Sequence, residues 1–169
     1  MATGINEYEL NLAVSLKVRD ILEERGYDVY MIRETHDVIS AIPSVQNLPR
    51  RTEQTFSCVY TRTAIRTVGL RSTHDGTEQQ KYVSSGDVIS KSQKLSQKMI
   101  AAFCKDTGAK NRDVIYTDSM SGINWSTIPV TIIELGFMSN PSEDRLMATE
   151  DYRNKMAQGI ADGIDAYYE

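Results

Sequence analysis

Histidine, cysteine and excess positive charge are all in short supply in this sequence. Its two histidines are His36 and His74, and its two cysteines, Cys58 and Cys104, have no CxxC spacing. That excludes a disulfide framework and a thiolate metal site, and it leaves both cysteines as free thiols. Lysine plus arginine number 19 against 23 acidic residues, a formal charge of -4, so nucleic acid and anionic membrane surfaces exert no general attraction. No apolar run approaches the roughly 20 residues of a membrane span. The opening MATGINEYEL has neither the basic nor the apolar region of a secretory signal. As written, the chain is expected to stay in the cytoplasm, where it is made.

What is present suits one globular domain over residues 1–169. With 40% hydrophobic content the chain can close a real core, and two full domains would be cramped. From Glu7 to Arg25, Leu10, Val14, Val18, Ile21 and Leu22 recur at helical spacing, and Gly26 stops the pattern. Tyr27 to Ile32 (YDVYMI) alternates and runs into RETHD, as a strand leading to a loop does. A second helix from Asp87 to Asp106 sets Ile89, Leu95, Met99, Ile100 and Phe103 on one face, with Gly108 behind it. A short strand around Val114 to Tyr116 and a closing helix from about Glu150 to Tyr168 complete a βα alternation. The fold class is α/β, a mostly parallel sheet flanked by helices.

The stretch IPVTIIELGFMSNPSED carries the most chemical information. Pro129 cannot donate to a ladder and belongs at the start of a strand, so 130–134 reads as a buried strand closed by a carboxylate, Glu134. In open α/β sheets, ligands bind beyond the carboxyl ends of the strands. An acid at such an end, followed by Gly136 for a sharp turn, stands where chemistry happens. The other reading is an ion pair with a lysine or arginine at a strand terminus. Residues 41–80 resist assignment: neither period persists there, and Arg50, Arg51, Arg62, Arg66 and Arg71 give the segment a basic, loop-like character.

Taken together, EYELNLAVSLKVRDILEERGYDVYMIRETHD and SQKLSQKMIAAFCKDTGAKNRDVIYTDSMSGINWSTIPVTIIELGFMSNPSEDRLMATEDYRNKMAQGIADGIDAYY closely resemble the zinc-dependent N-acetylmuramoyl-L-alanine amidases of the amidase-3 type, from bacteria and their phages. The resemblance covers residues 7–39 and about 81–168. It implies peptidoglycan as partner and hydrolysis of the amide between the muramic acid lactyl group and L-alanine of the stem peptide. It also implies one Zn2+ held by two histidines and a glutamate. Three such ligands leave a position for water, which the cation activates while a nearby carboxylate moves protons. Carried over by motif, Glu7 of NEYELNL falls on the glutamate ligand and Glu134 of IELGF on the catalytic glutamate.

Both histidine ligands are missing from their places. The first belongs to an opening strand with a DPGHG-like turn, and this chain begins after it. The second belongs to a strand ending in a HANG-like motif, which falls inside the anomalous segment. His36 in RETHD and His74 in STHDG match neither motif. Codons permitted by PSVQNLPRRTEQTFSCVYTRTAIRTVGLR, read from the third base of the first, spell ERAEFAKKNGADIFVCIHANGNKNSGAQ, which contains the missing strand and motif. A frameshift opening near Ser40 and closing near His74 accounts for this, and the lost histidine codon straddles Tyr60 and Thr61.

These departures set the expectations. The sheet is incomplete, lacking its first strand and one central strand, and its exposed edges favour self-association. Glu7 alone holds Zn2+ poorly, so the chain is inactive unless His36 or His74 substitutes as a ligand. A non-catalytic remnant would bind wall fragments or a partner through Glu134, Asn140 and the NWST loop at 124–127, where Trp125 otherwise packs against the sheet.

Overall fold

The computed structural model describes residues 2–36, 57–61, 65–70, 86–117, 126 and 128–169, the stretches 57–61 and 65–70 through their backbone. Helix α1 spans Glu7–Glu24. Its first turn carries Glu7 and Glu9, which complement the positive end of the helix dipole, and Glu9 accepts the Asn6 N–H at 2.7 Å. At the other end Gly26 takes φ +87°, and the Tyr27 N–H reaches back to the Leu22 carbonyl at 3.0 Å. That left-handed glycine satisfies a carbonyl that would otherwise be stranded at the helix end.

Helix α2 spans Gly86–Thr107 and buries all five of its expected core residues, Ile89, Leu95, Met99, Ile100 and Phe103. A short helix α3 spans Pro141–Met147, and α4 spans Glu150–Tyr168. Helices α1, α2 and α4 share one apolar cluster with Ile133 and Leu135 of the sheet. In α4, Gly159 and Gly163 let two helices meet backbone to backbone. A Cβ on Gly159 would lie 2.8 Å from the Cα of Phe103, and one on Gly163 would lie 2.8 Å from the Cα of Met99. Two glycines a turn apart thus form a flat seam on α4 into which α2 settles.

Among the described residues the sheet holds four strands in the order β1-β4-β2-β3: β1 (Ser57–Thr61), β4 (Val130–Leu135), β2 (Ile65–Leu70) and β3 (Val114–Thr117). The β1–β4 and β2–β3 pairs are parallel, and β2 runs antiparallel to β4. In β4 the side chains alternate: Ile133 and Leu135 enter the main core, while Val130 joins Ile89 in a second small cluster. Two buried hydroxyls tie α2 to this strand. Ser96 shares a 2.8 Å hydrogen bond with Thr131, and Ser92 accepts the Val130 N–H at 3.0 Å, closing the ladder's first donor.

Two expectations are corrected, and one element is added. Tyr27 to Ile32 forms no strand, although its alternation is real: Tyr27 and Val29 pack on the core while Tyr30 and Ile32 stand exposed. An extended run becomes a strand only beside a ladder, and none is offered to it among the described residues. Second, residues 41–80 do contain strands: β1 and β2 both come from this segment, which supplies the neighbours on either side of β4. Runs of five and six residues are too short for a period to declare itself, and the pairing with β4 decides them. Third, α3 escaped the sequence reading, although Asn140-Pro141 followed by Glu143 and Asp144 is a cap, a first-turn proline and two dipole-complementing acids.

Candidate functional site

Glu134 lies one residue before the end of β4 and is 7% exposed. Alternation along the strand puts its side chain on the face opposite Ile133 and Leu135. In the sheet register its Cα partner is Thr61 of β1 on one side and Arg66 of β2 on the other. A row of backbone positions therefore runs 61, 134, 66 at the carboxyl end of β4. The expected burial of a strand-end carboxylate at Glu134 is what the structure has.

The turn that follows is held rigidly. Gly136 fits closely under α3, since a Cβ there would meet the Sδ of Met147 at 2.8 Å. The Phe137 N–H donates to Glu143 at 2.9 Å, and the Asn140 amide donates to the same carboxylate at 2.9 Å. The Asn140 side-chain oxygen accepts the Ser142 N–H at 3.0 Å and so caps α3. Asn140, expected as part of a binding surface, is thus committed to the cap.

Glu7, the candidate metal ligand, is half-buried at the first position of α1. The segment before it is tethered to the element that follows β4. Asp144 of α3, fully buried, accepts the N–H groups of Ala2 at 2.7 Å and Thr3 at 2.8 Å, and the Thr3 hydroxyl at 3.0 Å. This anchor fixes the start of α1 next to the loop beyond Glu134. Arg33 works on the same helix start, donating to the Tyr8 carbonyl at 2.5 Å. His36 stands edge-on to the Tyr8 ring, centroids 5.5 Å apart at 80°, and both residues are exposed. The structure therefore brings His36 to the residue next to Glu7, while His74 and Trp125 lie outside the described residues.

A zinc site of the kind the resemblance implies needs two imidazoles and a carboxylate converging on one point. Among the described residues no three His, Cys, Asp or Glu side chains converge in this way. With two histidines in the chain, such a set would consume both, and His36 lies edge-on to Tyr8. The donors present among the described residues do not fit the metal.

The profile of the Amidase_3 family, N-acetylmuramoyl-L-alanine amidase, matches residues 1–166. The chain belongs to this family. It is 26% identical over 169 residues to YqiI of Bacillus subtilis, covering all of this chain and 78% of that protein. It is 28% identical over 179 residues to the germination-specific N-acetylmuramoyl-L-alanine amidase of the same organism, covering 96% of this chain and 70% of that one. Among solved structures, the catalytic domain of CwlV, an N-acetylmuramoyl-L-alanine amidase of Bacillus (Paenibacillus) polymyxa var. colistinus, superposes with a TM-score of 0.76 at 24% identity. That match covers 98% of this chain and 86% of the other, and at such identity it establishes the fold. The Amidase_3 chain thus resembles a peptidoglycan hydrolase in sequence and in fold.

Sequence reasoning passed over two residues that hold the start of α1 beside Glu7. Asp144 stood inside the quoted NPSED without being singled out, and Arg33 stood inside RETHD.

Proposed function

We propose that this chain is an amidase-family domain that binds the peptide stem of bacterial wall material at the carboxyl end of β4 but is impaired in hydrolysing it. One observation carries the reading: the chain's two histidines, His36 and His74, match neither ligand motif, while Glu134 lies buried near the carboxyl end of β4 and the start of α1 is anchored beside the loop that follows it. Glu7 and Glu134 are the residues of this Amidase_3 chain that would serve as metal ligand and proton carrier. Were Zn2+ held beside them, it would supply an activated water; without imidazoles, one carboxylate binds a divalent ion weakly.

The frameshift belongs to the same reading. The histidine codon inferred from the shifted frame straddles Tyr60 and Thr61, and Thr61 is the Cα partner of Glu134. A histidine there would sit one strand spacing, about 4.8 Å, from the catalytic glutamate's backbone. That agreement between codon arithmetic and sheet register supports a reading frame displaced between about Ser40 and His74.

The purified chain, dialysed against zinc and then assayed for metal content, for turnover of purified muropeptide and for retention on isolated cell walls, tests the proposal. Retention on walls with substoichiometric metal and no released peptide is the expected result. Stoichiometric zinc with turnover would overturn it. Restoring the shifted frame over 41–73 should raise metal content, and codons at those positions that do not encode a histidine-bearing strand in the shifted register would remove the frameshift from the account.

A further inference from the structure

Arg112 precedes β3, and its guanidinium lies over the ring of Phe137, 4.9 Å from the centroid. Phe137 is the third residue after Glu134, in the turn clamped by Glu143 and packed under α3 through Gly136. The register puts this arginine at the same end of the sheet. Thr67 pairs with both Val114 and Ile133, so β3 starts level with Ile133, and Arg112 stands two residues before that start, ahead of Asp113 at φ +64°. Two strand spacings, about 10 Å, separate the start of β3 from Ile133, the residue before Glu134.

Arg112 is exposed, and no carboxylate among the described residues lies within ion-pair distance of it. The contrast with Arg19 and Arg25 is direct, since both of those bond two carboxylates. A guanidinium held over an aromatic face is attracted by the ring without being neutralised, and the ring limits the conformations it must give up on binding. Its donor fork suits a carboxylate, which it meets with two parallel hydrogen bonds.

We infer that Arg112, seated on Phe137, is a specificity-determining residue that recognises a carboxylate on the stem peptide. The inference rests on the proposed binding of wall peptide at this end of the sheet and names the chemistry read there. An extended peptide advances about 3.4 Å per residue. A carboxylate some three residues along the stem from the amide nearest Glu134 therefore reaches the arginine. Stems whose carboxylates are amidated present no anion at that point and lose the contact.

The test is a titration of the full chain with two synthetic muramoyl peptides, one with free stem carboxylates and one with the same carboxylates amidated. The wild-type protein is expected to favour the acidic peptide by about tenfold, the scale of one charge-assisted contact. Arg112→Gln should abolish the preference by weakening the acidic peptide alone. Arg112→Lys should keep part of it, having charge without the fork. Phe137→Leu should fall between wild type and Arg112→Gln, and Arg25→Gln, at the far end of α1 and paired with the last helix, should leave it unchanged. An Arg112→Gln protein that still prefers the acidic peptide, or a wild type that binds both equally, overturns the role of Arg112 while leaving wall binding intact. A wild type that binds neither peptide overturns both.

Discussion

The helical side of the molecule and the rim beyond β4 handle charge in opposite ways. Where α1 and α4 end, charge is consumed internally. Arg25 bonds Asp162 at 2.7 Å and Asp165 at 2.5 Å, and the Tyr27 hydroxyl donates to Asp165 at 2.6 Å. Burial, with the Asp165 carboxylate beside it, pushes the Tyr27 phenol up to about 12. At the rim, Arg112 lies over Phe137 and forms no ion pair among the described residues, and Tyr8 and His36 face solvent. A surface whose charges are already paired has little to offer a ligand, because each contact must first be broken. The rim's cation and rings are held in place by neighbours that do not neutralise them, and that is the condition of a binding surface.

The sharpest way to break the comparison is to disrupt the helical side and see whether the rim falls with it. Gly163→Ala drives a methyl into the backbone of α2 at Met99, where no side-chain rotation relieves it. Overpacking of this kind costs about 1–3 kcal/mol, against which better helix propensity returns about 1 at most. A thermal melt should show a loss of several degrees, with Gly159→Ala behaving alike. An unchanged melting temperature for both would mean that α2 and α4 do not meet as closely as described.

Next in size is the tether. Asp144→Ala removes the acceptor of two N–H groups and a hydroxyl and should cost roughly 2 kcal/mol. Amide exchange should quicken at residues 2–8 far more than in α4. Uniform exchange changes across the chain would instead make Asp144 part of the general scaffold.

Smaller still is Tyr27→Phe, which loses one hydrogen bond and about 1 kcal/mol at neutral pH. Its effect on pH dependence has a definite sign. A phenol whose ionisation is raised from 10.0 to about 12 stabilises the fold below pH 10, and that contribution fades as the pH climbs between those values. The phenylalanine variant should therefore lose less stability than wild type between pH 10 and 12. Equal alkaline slopes would show that Tyr27 is not the group responsible.

The smallest expected effect is a gain. Asp106 is held above the ordinary carboxylate range, first by desolvation and then by the charge of Asp162. Its ionised form is therefore a burden on the fold at neutral pH. Asp106→Asn should raise the melting temperature slightly at pH 7, and the gain should vanish in acid once the wild-type carboxyl is protonated. A gain that persists at low pH would point to the amide's own bonding instead of relief from charge.

Much of the helical side was legible in the sequence. The three long helices announced themselves through apolar spacing, and Gly26 and Gly108 marked their ends with φ of +87° and +70°. Glu134 could be found because a lone carboxylate closing a β-branched run is conspicuous. The rim was less legible, since its parts are brief. Helix α3 has seven residues, and β1 and β2 gave no readable period. The strand expected at Tyr27 to Ile32 failed for the converse reason: its alternation was correct, but alternation specifies which side chains face inward and not whether a ladder stands alongside.

By itself the sequence determined the family, the helical faces and a buried strand that carries Glu134 near its end, because each is written in residue type and local spacing. Tertiary structure alone decided that Thr61 lies beside Glu134, that Asp144 anchors residues 2 and 3, and that Arg112 rests on Phe137. Those contacts join segments 25 to 142 residues apart, and their partners are chosen by sheet register and helix packing, which no local pattern of side chains encodes.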